Sequence, residues 1–161
     1  DPFRPNRNGK ELLLPVLQSR APLDLIILFL GTNDMQTVYG VNAYASSLGA
    51  GVLVDTILPC RAEPIQNPPQ VLLVSPSHIV QPCGAMAEKF RGAEEKSLAF
   101  TQWYQRAANE RGCSFFDAAD VVGPSIVDGV HWDETQHQQG AAAVQPRVEQ
   151  SLGTATPYHL S

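Results

Sequence analysis

Apolar runs of strand length alternate along this chain with segments whose apolar residues recur at helical spacing. The first two runs are apolar at nearly every position, which is typical of strands covered on both faces in a parallel sheet, and the third is a short strand. They are "DLIILFL" at 24–30, "VLLVS" at 71–75 and "CSFFDA" at 113–118. The segments with helical spacing lie at 9–20, 41–58, 93–112 and 134–152.

The order of these elements predicts the fold class. After the first helix, strand and helix alternate as β-α-β-α-β-α, which favours a parallel sheet with helices on both faces. No internal repeat and no linker interrupts the chain, so we expect a single α/β domain over 1–161.

The helical segments also predict which residues are buried and where helices end. In the first helix we expect Leu13, Leu14 and Leu17 to share a buried side, and in the second Tyr44, Leu48 and Val52 together with Leu53 and Ile57. Gly112 is expected to end the third helix, and Pro146 to bend or interrupt the last.

Composition narrows the class of protein. Of 161 residues 43% are hydrophobic and 17% charged, so the chain should fold around a core. The net charge of -5 argues against a nucleic-acid partner, and no apolar run approaches the roughly 20 residues of a membrane helix. The three cysteines Cys60, Cys83 and Cys113 form no CxxC pair, which argues against zinc. We expect free thiols in a reducing, cytoplasmic setting, with a Cys60–Cys83 disulfide as the alternative.

A polar cluster, "GTND", follows the first apolar run directly. An asparagine amide such as that of Asn33, fixed at the carboxyl end of a strand, can donate a hydrogen bond to an oxyanion that forms in acyl transfer. The alternative is that Asn33 or Asp34 only caps a helix or forms a turn.

A second polar cluster, "DGVH", precedes the last helix. Asp128 and His131, three residues apart around Gly129, can fold so that the carboxylate meets one ring nitrogen of the imidazole. The other nitrogen could then act as a general base. Taken alone, this spacing is more readily explained by a turn with a surface histidine.

Together, and in this order, the two clusters resemble two sequence blocks of the SGNH hydrolase superfamily of serine esterases, closest to its small bacterial arylesterase and acyltransferase branch. The resemblance extends from near residue 1 to about Leu152 and implies a flavodoxin-like three-layer α/β/α sandwich. It implies that His131 is the general base, that Asp128 orients it and that Asn33 donates to the oxyanion. It also implies that Thr32, Val130 and Trp132 lie near the substrate, and that no metal or other cofactor is needed.

One part of the family pattern has no counterpart in this sequence. The Gly-Asp-Ser block that carries the nucleophile is absent, as are the first strand and the second block. We therefore expect the missing segment on a second polypeptide, on residues outside this sequence, or on an exchanged subunit of a homo-oligomer. Ser75 or Ser77, beside His78, is the alternative nucleophile within the chain.

The function expected from these patterns is hydrolysis of a small-molecule carboxylic ester, aryl or short-chain acyl, with acyl transfer to alcohols as a related reaction. One alternative is a catalytically inactive fragment kept as a binding or scaffold module. Another is a flavodoxin-like nucleotide or flavin binder, against which no glycine-rich phosphate loop follows any predicted strand.

Overall fold

A parallel sheet with helices on both faces organises the molecule. The structure is a computed structural model that describes residues 8–59 and 68–153. Within these ranges the sheet has the order β1-β2-β3, and its strands are β1 (Leu25–Phe29), β2 (Gln70–Ser75) and β3 (Ser114–Asp117). The helices of the same ranges are α1 (Gly9–Arg20), α2 (Ala43–Ile57), α3 (Met86–Lys89), α4 (Ala93–Ser97), α5 (Phe100–Arg111) and α6 (Glu134–Gly153). The α/β fold predicted from the sequence is confirmed.

The central strand β2 is buried on both faces, as its uniformly apolar sequence predicts. Val71 and Leu73 face one way, into the larger core formed with α2 and α5. Leu72 and Val74 face the other way, into a smaller core against α6. Because side chains alternate along a strand, a strand that is apolar at every position must have a helix layer on each side.

Strand β1 departs from the prediction of burial on both faces. It pairs with β2 in parallel, and no described residue pairs with its other edge. Leu28 is buried against α2 and α5, but Ile27 and Phe29 are 47% and 40% exposed. The described residues therefore cover one face of β1 well and the α6 face only in part.

The buried face of α2 is also not the one predicted. Tyr44, Leu48 and Val52 are exposed. Leu53 and Ile57 are buried as expected, and the rest of the buried face is formed largely by small residues: Ala43, Ser46, Ser47, Ala50 and Gly51. Small side chains let α2 approach α5, and a Cβ on Gly51 would lie 2.6 Å from the Arg111 guanidinium.

Other helix predictions are partly right. In α1, Leu17 is buried and Leu13 packs on the core, but Leu14 is 43% exposed. The segment 93–112 forms two helices, α4 and α5, and Gly112 ends α5 with a φ of 65°. The helix α6 continues through Pro146, so of the predicted bend or interruption the interruption is wrong.

Two further findings bear on the cysteines and on membranes. Cys83 and Cys113 are free thiols, whereas Cys60, the alternative disulfide partner, lies outside the described residues. Across residues 8–59 and 68–153, no helix has the length and apolarity required to cross a membrane.

Candidate active site

Both polar clusters lie at the carboxyl ends of the strands. The three strands are parallel, so their carboxyl ends lie together. Gly31 turns the chain away from β1 with a φ of 135°, and a Cβ there would overlap the Tyr104 hydroxyl and lie 3.0 Å from the Pro76 ring. The close approach and the backbone angle both require glycine at this position.

Asn33 lies on the 3-10 turn Thr32–Met35, and it is exposed. Its side-chain oxygen Oδ1 accepts a hydrogen bond of 2.8 Å from Nε2 of Gln36. Gln36 itself is only 9% exposed. Since the amide oxygen of Asn33 is engaged, its N–H groups point away from Gln36. The sequence motifs did not point to Gln36, although a polar residue three positions after Asn33 falls on the same side of a 3-10 turn.

Asp34 ties the same turn to the helices below it. Its Oδ2 accepts a hydrogen bond of 2.7 Å from Ser46, whose hydroxyl lies 2.8 Å from that of Tyr104. Tyr104 donates in turn to the carbonyl of Leu30, at 2.9 Å. Burial raises the pKa of Tyr104, so its hydroxyl stays protonated and can donate this hydrogen bond to Leu30. The turn that carries Asn33 is thus anchored to both α2 and α5.

Asp128 and His131 form the contact that their spacing predicts. The ring nitrogen Nδ1 of His131 lies 2.6 Å from Oδ2 of Asp128, and Oδ1 accepts from the backbone N–H groups of Val130 and His131, each at 2.9 Å. Partial burial acts to raise the pKa of the Asp128 carboxyl, but the hydrogen bonds from the His131 ring and from the two N–H groups outweigh it and lower that pKa to about 2. The His131 side chain is 55% exposed, and its contact with Asp128 uses Nδ1, which leaves the other ring nitrogen, Nε2, outside this contact.

The residues on either side of His131 hold it at the edge of the sheet. Val130 is buried in the larger core, on the α2 and α5 side. Trp132 packs against the smaller core on the α6 side, with its ring centroid 5.2 Å from that of Phe29. Nε1 of Trp132 donates to Ser77 Oγ at 3.0 Å. His131 therefore lies between two anchored neighbours, close to the end of β1.

The loop after β2 holds the histidine turn from the other side. The N–H of Val80 donates to the carbonyl of Gly129 at 2.9 Å, and the N–H of Cys83 donates to that of Asp128 at 3.1 Å. Gly129 has a φ of 73°, and a Cβ there would overlap the carbonyl oxygen of Val80. Glycine is therefore required between Asp128 and Val130.

The other residues predicted for the site have different surroundings. Thr32 and Trp132 are half-buried, and Val130 is buried, so its contribution is to packing. Ser75 is fully buried, and Ser77 donates to the carbonyl of Val122 at 2.6 Å while it accepts from Trp132.

A shallow cavity of about 200 Å³ lies at the opposite end of the strands from the two polar clusters, where β3 begins. It is lined by Ser114, Phe115, Arg147, Gln150 and Ser151. It shares no residue with the two polar clusters. Within the described ranges, no three His, Cys, Asp or Glu side chains come together in a way that could hold a metal ion.

Several solved structures similar to this one are named as esterases. An aryl esterase of M. smegmatis is 31% identical, with a TM-score of 0.88 over 93% of this chain and 71% of its own. A carbohydrate acetylesterase from Sinorhizobium meliloti is 29% identical, with a TM-score of 0.89 over the same shares. A second carbohydrate acetylesterase family member from that organism is 34% identical, with a TM-score of 0.84 over 91% of this chain and 70% of its own. No protein-family model and no curated protein matches the chain.

These neighbours share the fold of the chain. The M. smegmatis esterase is also 31% identical to it over more than two thirds of the length of that esterase, which shows common ancestry. The chain belongs to the SGNH hydrolase superfamily of carboxylic ester hydrolases.

Proposed function

We propose that this chain carries the general base, the orienting acid and an oxyanion donor of a serine esterase. The observation that carries the proposal is the 2.6 Å contact between His131 Nδ1 and Asp128 Oδ2, made by a histidine side chain that is 55% exposed. Asp128 fixes the tautomer with the proton on Nδ1, which leaves the lone pair of Nε2 available to accept a proton.

The reaction then runs in two halves. Nε2 of His131 removes the proton from a serine hydroxyl as its oxygen attacks the ester carbonyl, and the pair with Asp128 stabilises the imidazolium that forms. The tetrahedral intermediate collapses, the C–O bond to the alcohol breaks, and His131 gives its proton to the departing oxygen. Water attacks the resulting acyl-enzyme by the same route, and the acid is released. Where an alcohol replaces that water, the acyl group is transferred instead.

Asn33 stabilises the oxyanion of both tetrahedral intermediates through its side-chain N–H groups. The position of its turn, at the carboxyl end of β1, supports this assignment, since Trp132 next to His131 packs on Phe29 at the same strand end. One such donor is typically worth about 3 kcal/mol of transition-state stabilisation.

The nucleophile is a serine outside the 161 residues. No Gly-Asp-Ser sequence occurs in the chain. Burial of Ser75 and the two hydrogen bonds of the Ser77 hydroxyl argue against either as the nucleophile.

The same segment would complete the sheet beside β1. Two observations support an additional strand at this position. Ile27 and Phe29 are exposed, and the outer edge of β1 is unpaired among the described residues. The M. smegmatis esterase is longer than the part that the chain matches, which is 71% of its own length. The segment is supplied by covalently continuous residues, by a second polypeptide or by another subunit of a homo-oligomer.

The substrates are aryl or short-chain acyl esters of small alcohols. The names of the similar structures, an aryl esterase and carbohydrate acetylesterases, support this class. Thr32 and Trp132, which are half-buried, contact the substrate. Val130 is buried, and its packing holds the neighbouring His131 in place.

Labelling with a fluorophosphonate tests the proposal. The protein, expressed with all the residues its gene encodes, is treated with the probe, digested and mapped by mass spectrometry, alongside turnover of p-nitrophenyl acetate. We expect one labelled serine in a Gly-Asp-Ser sequence, and loss of label in His131→Ala but not in Asp120→Asn, a change of an exposed carboxylate on the loop before the site. Label on Ser77 would overturn the assignment of the nucleophile. Absence of both label and turnover would favour an inactive binding module.

A further inference from the structure

We propose that Gln36 is a positioning residue that orients the Asn33 amide towards the reacting ester. The inference rests on the proposed role of Asn33 as the oxyanion donor. Gln36 is buried and is not part of the proposed catalytic set. Its contact determines which end of the Asn33 amide faces the substrate.

The geometry around Gln36 supports this role. Its Nε2 donates to Asn33 Oδ1 at 2.8 Å, and its backbone N–H donates to the Asn33 carbonyl at 3.3 Å. Gln36 lies in the short link between the 3-10 turns Thr32–Met35 and Thr37–Tyr39, and it is 9% exposed. Asn33 is exposed, so without this contact nothing in the described contacts of its side chain would fix the amide.

The orientation matters because an asparagine amide has two chemically opposite ends. If the surrounding contacts allowed Asn33 to rotate by 180° about χ2, its oxygen would face the developing oxyanion and repel it. A donor on Oδ1 opposes that rotation, because the rotated amide would place N–H groups against the N–H groups of Gln36. The oriented amide interacts more strongly with the oxyanion of the transition state than with the bound ester. Loss of the orientation should therefore lower kcat more than it changes KM.

A set of substitutions at Gln36 separates donation from packing. Gln36→Met keeps the length and apolar volume but has no donor. Gln36→Glu keeps the shape and replaces the donor by an acceptor, and Gln36→Lys restores a donor. The matched control is Gln145→Met, because Gln145 is an exposed glutamine whose amide makes a comparable 2.7 Å hydrogen bond to Glu149 on α6, remote from both clusters.

Steady-state hydrolysis of p-nitrophenyl acetate by the protein, expressed from its complete gene, gives the readout. We expect kcat to fall roughly fivefold to tenfold in Gln36→Met, the range for one lost hydrogen bond, with KM little changed. Gln36→Glu should lose more, Gln36→Lys should retain most of the wild-type kcat, and Gln145→Met should be unchanged.

A double-mutant cycle decides whether Gln36 acts through Asn33. In an Asn33→Ala background, Gln36→Met should cause no further loss, because the amide it orients is gone. If Gln36→Met lowers kcat equally in both backgrounds, or if Gln36→Lys is as impaired as Gln36→Met, the positioning role is wrong. If Asn33→Ala itself has wild-type kcat, the proposed oxyanion role fails, and the inference fails with it. If Asn33→Ala is impaired and Gln36→Met is not, the inference alone fails.

Discussion

At the residue scale, the site depends on a carboxylate that stays ionised and a neighbouring imidazole that it holds. Asp128 accepts one hydrogen bond from the His131 ring and two from backbone N–H groups, which together lower its pKa to about 2 despite partial burial. At any pH near neutrality Asp128 is therefore negatively charged and can stabilise an imidazolium at His131.

Replacement of this carboxylate by an amide should abolish most activity. In Asp128→Asn the side chain can donate to Nδ1, which would favour the tautomer with the proton on Nε2 and remove the base. We expect kcat for p-nitrophenyl acetate to fall on the order of 10⁴-fold, with Asp120→Asn unaffected. A loss of less than about tenfold would contradict the orienting role of Asp128.

The same carboxylate should make stability depend on acid pH. Its folded-state pKa, about 2, lies below the ordinary value of 3.8, so its contribution is present above the ordinary pKa and is lost as pH falls towards 2. Because the carboxyl lies at the surface, solvent screening limits this contribution to about 1 kcal/mol near neutral pH, and the contribution falls as the pH drops from about 4 towards 2. Urea unfolding of wild type and Asp128→Asn should therefore give a stability difference that shrinks with falling pH. A difference that stays constant between about pH 6 and about pH 3 would contradict the shift.

Single residues also show what the sequence could predict about the site. Asp128 and His131 are three residues apart, so local geometry alone brings them into contact, and the prediction of that contact is confirmed. Gln36 was missed because its hydrogen bond to Asn33 depends on a 3-10 turn, which leaves little signal in hydrophobic patterning. The buried position of Val130 depends on how its turn sits on the sheet, which no local pattern reports.

At the scale of elements, the histidine turn is held by the loop that follows β2. Gly129 must adopt a φ of 73° and fit against the carbonyl of Val80. Any side chain would force these two loops apart and move His131 with them.

The change Gly129→Ala should therefore reduce both stability and activity. We expect a loss of about 2 kcal/mol or more in the free energy of unfolding, from the left-handed backbone and the overlap together. The matched variant Gly123→Ala lies on the same connection, where an added Cβ would meet no other atom within 4 Å, and it should change stability by less than about 1 kcal/mol. Equal effects of the two substitutions in urea unfolding would refute this explanation of the turn.

The elements themselves were predicted from their periodicity more reliably than their buried faces. The strands lie where the apolar runs predict them, because runs of this length are typical of strands and too short for most helices. The face of α2 was wrong because hydrophobicity favours large residues, whereas close packing on α5 selects small ones such as Ala50 and Gly51. Two helices were predicted as one over 93–112, since the break at Leu98 and Ala99 contains no glycine or proline.

At the scale of the whole molecule, the outer side of β1 is the part of the sheet that the described residues leave uncovered. Its outer edge is unpaired among the described residues, and Ile27, Phe29 and Leu30 are each at least 40% exposed. Exposed apolar residues beside an unpaired strand edge are features that proteins usually cover, and such surfaces favour association.

The 161 residues by themselves should therefore not behave as a stable monomer. We expect light scattering after size-exclusion chromatography to show oligomers or aggregates, and addition of a Gly-Asp-Ser-bearing segment from the complete gene to give a defined species. Hydrogen exchange should then slow at the amides of β1. A monodisperse monomer of this chain that unfolds cooperatively would contradict the need for a further strand.

In the proposed function His131, held by Asp128, is the base of an esterase. The most direct test is kcat for p-nitrophenyl acetate in His131→Ala, with the protein expressed from its complete gene and its fold checked by circular dichroism. We predict a loss on the order of 10⁴-fold or more with the fold retained. A folded His131→Ala protein that hydrolyses the ester at the wild-type rate would contradict the claim.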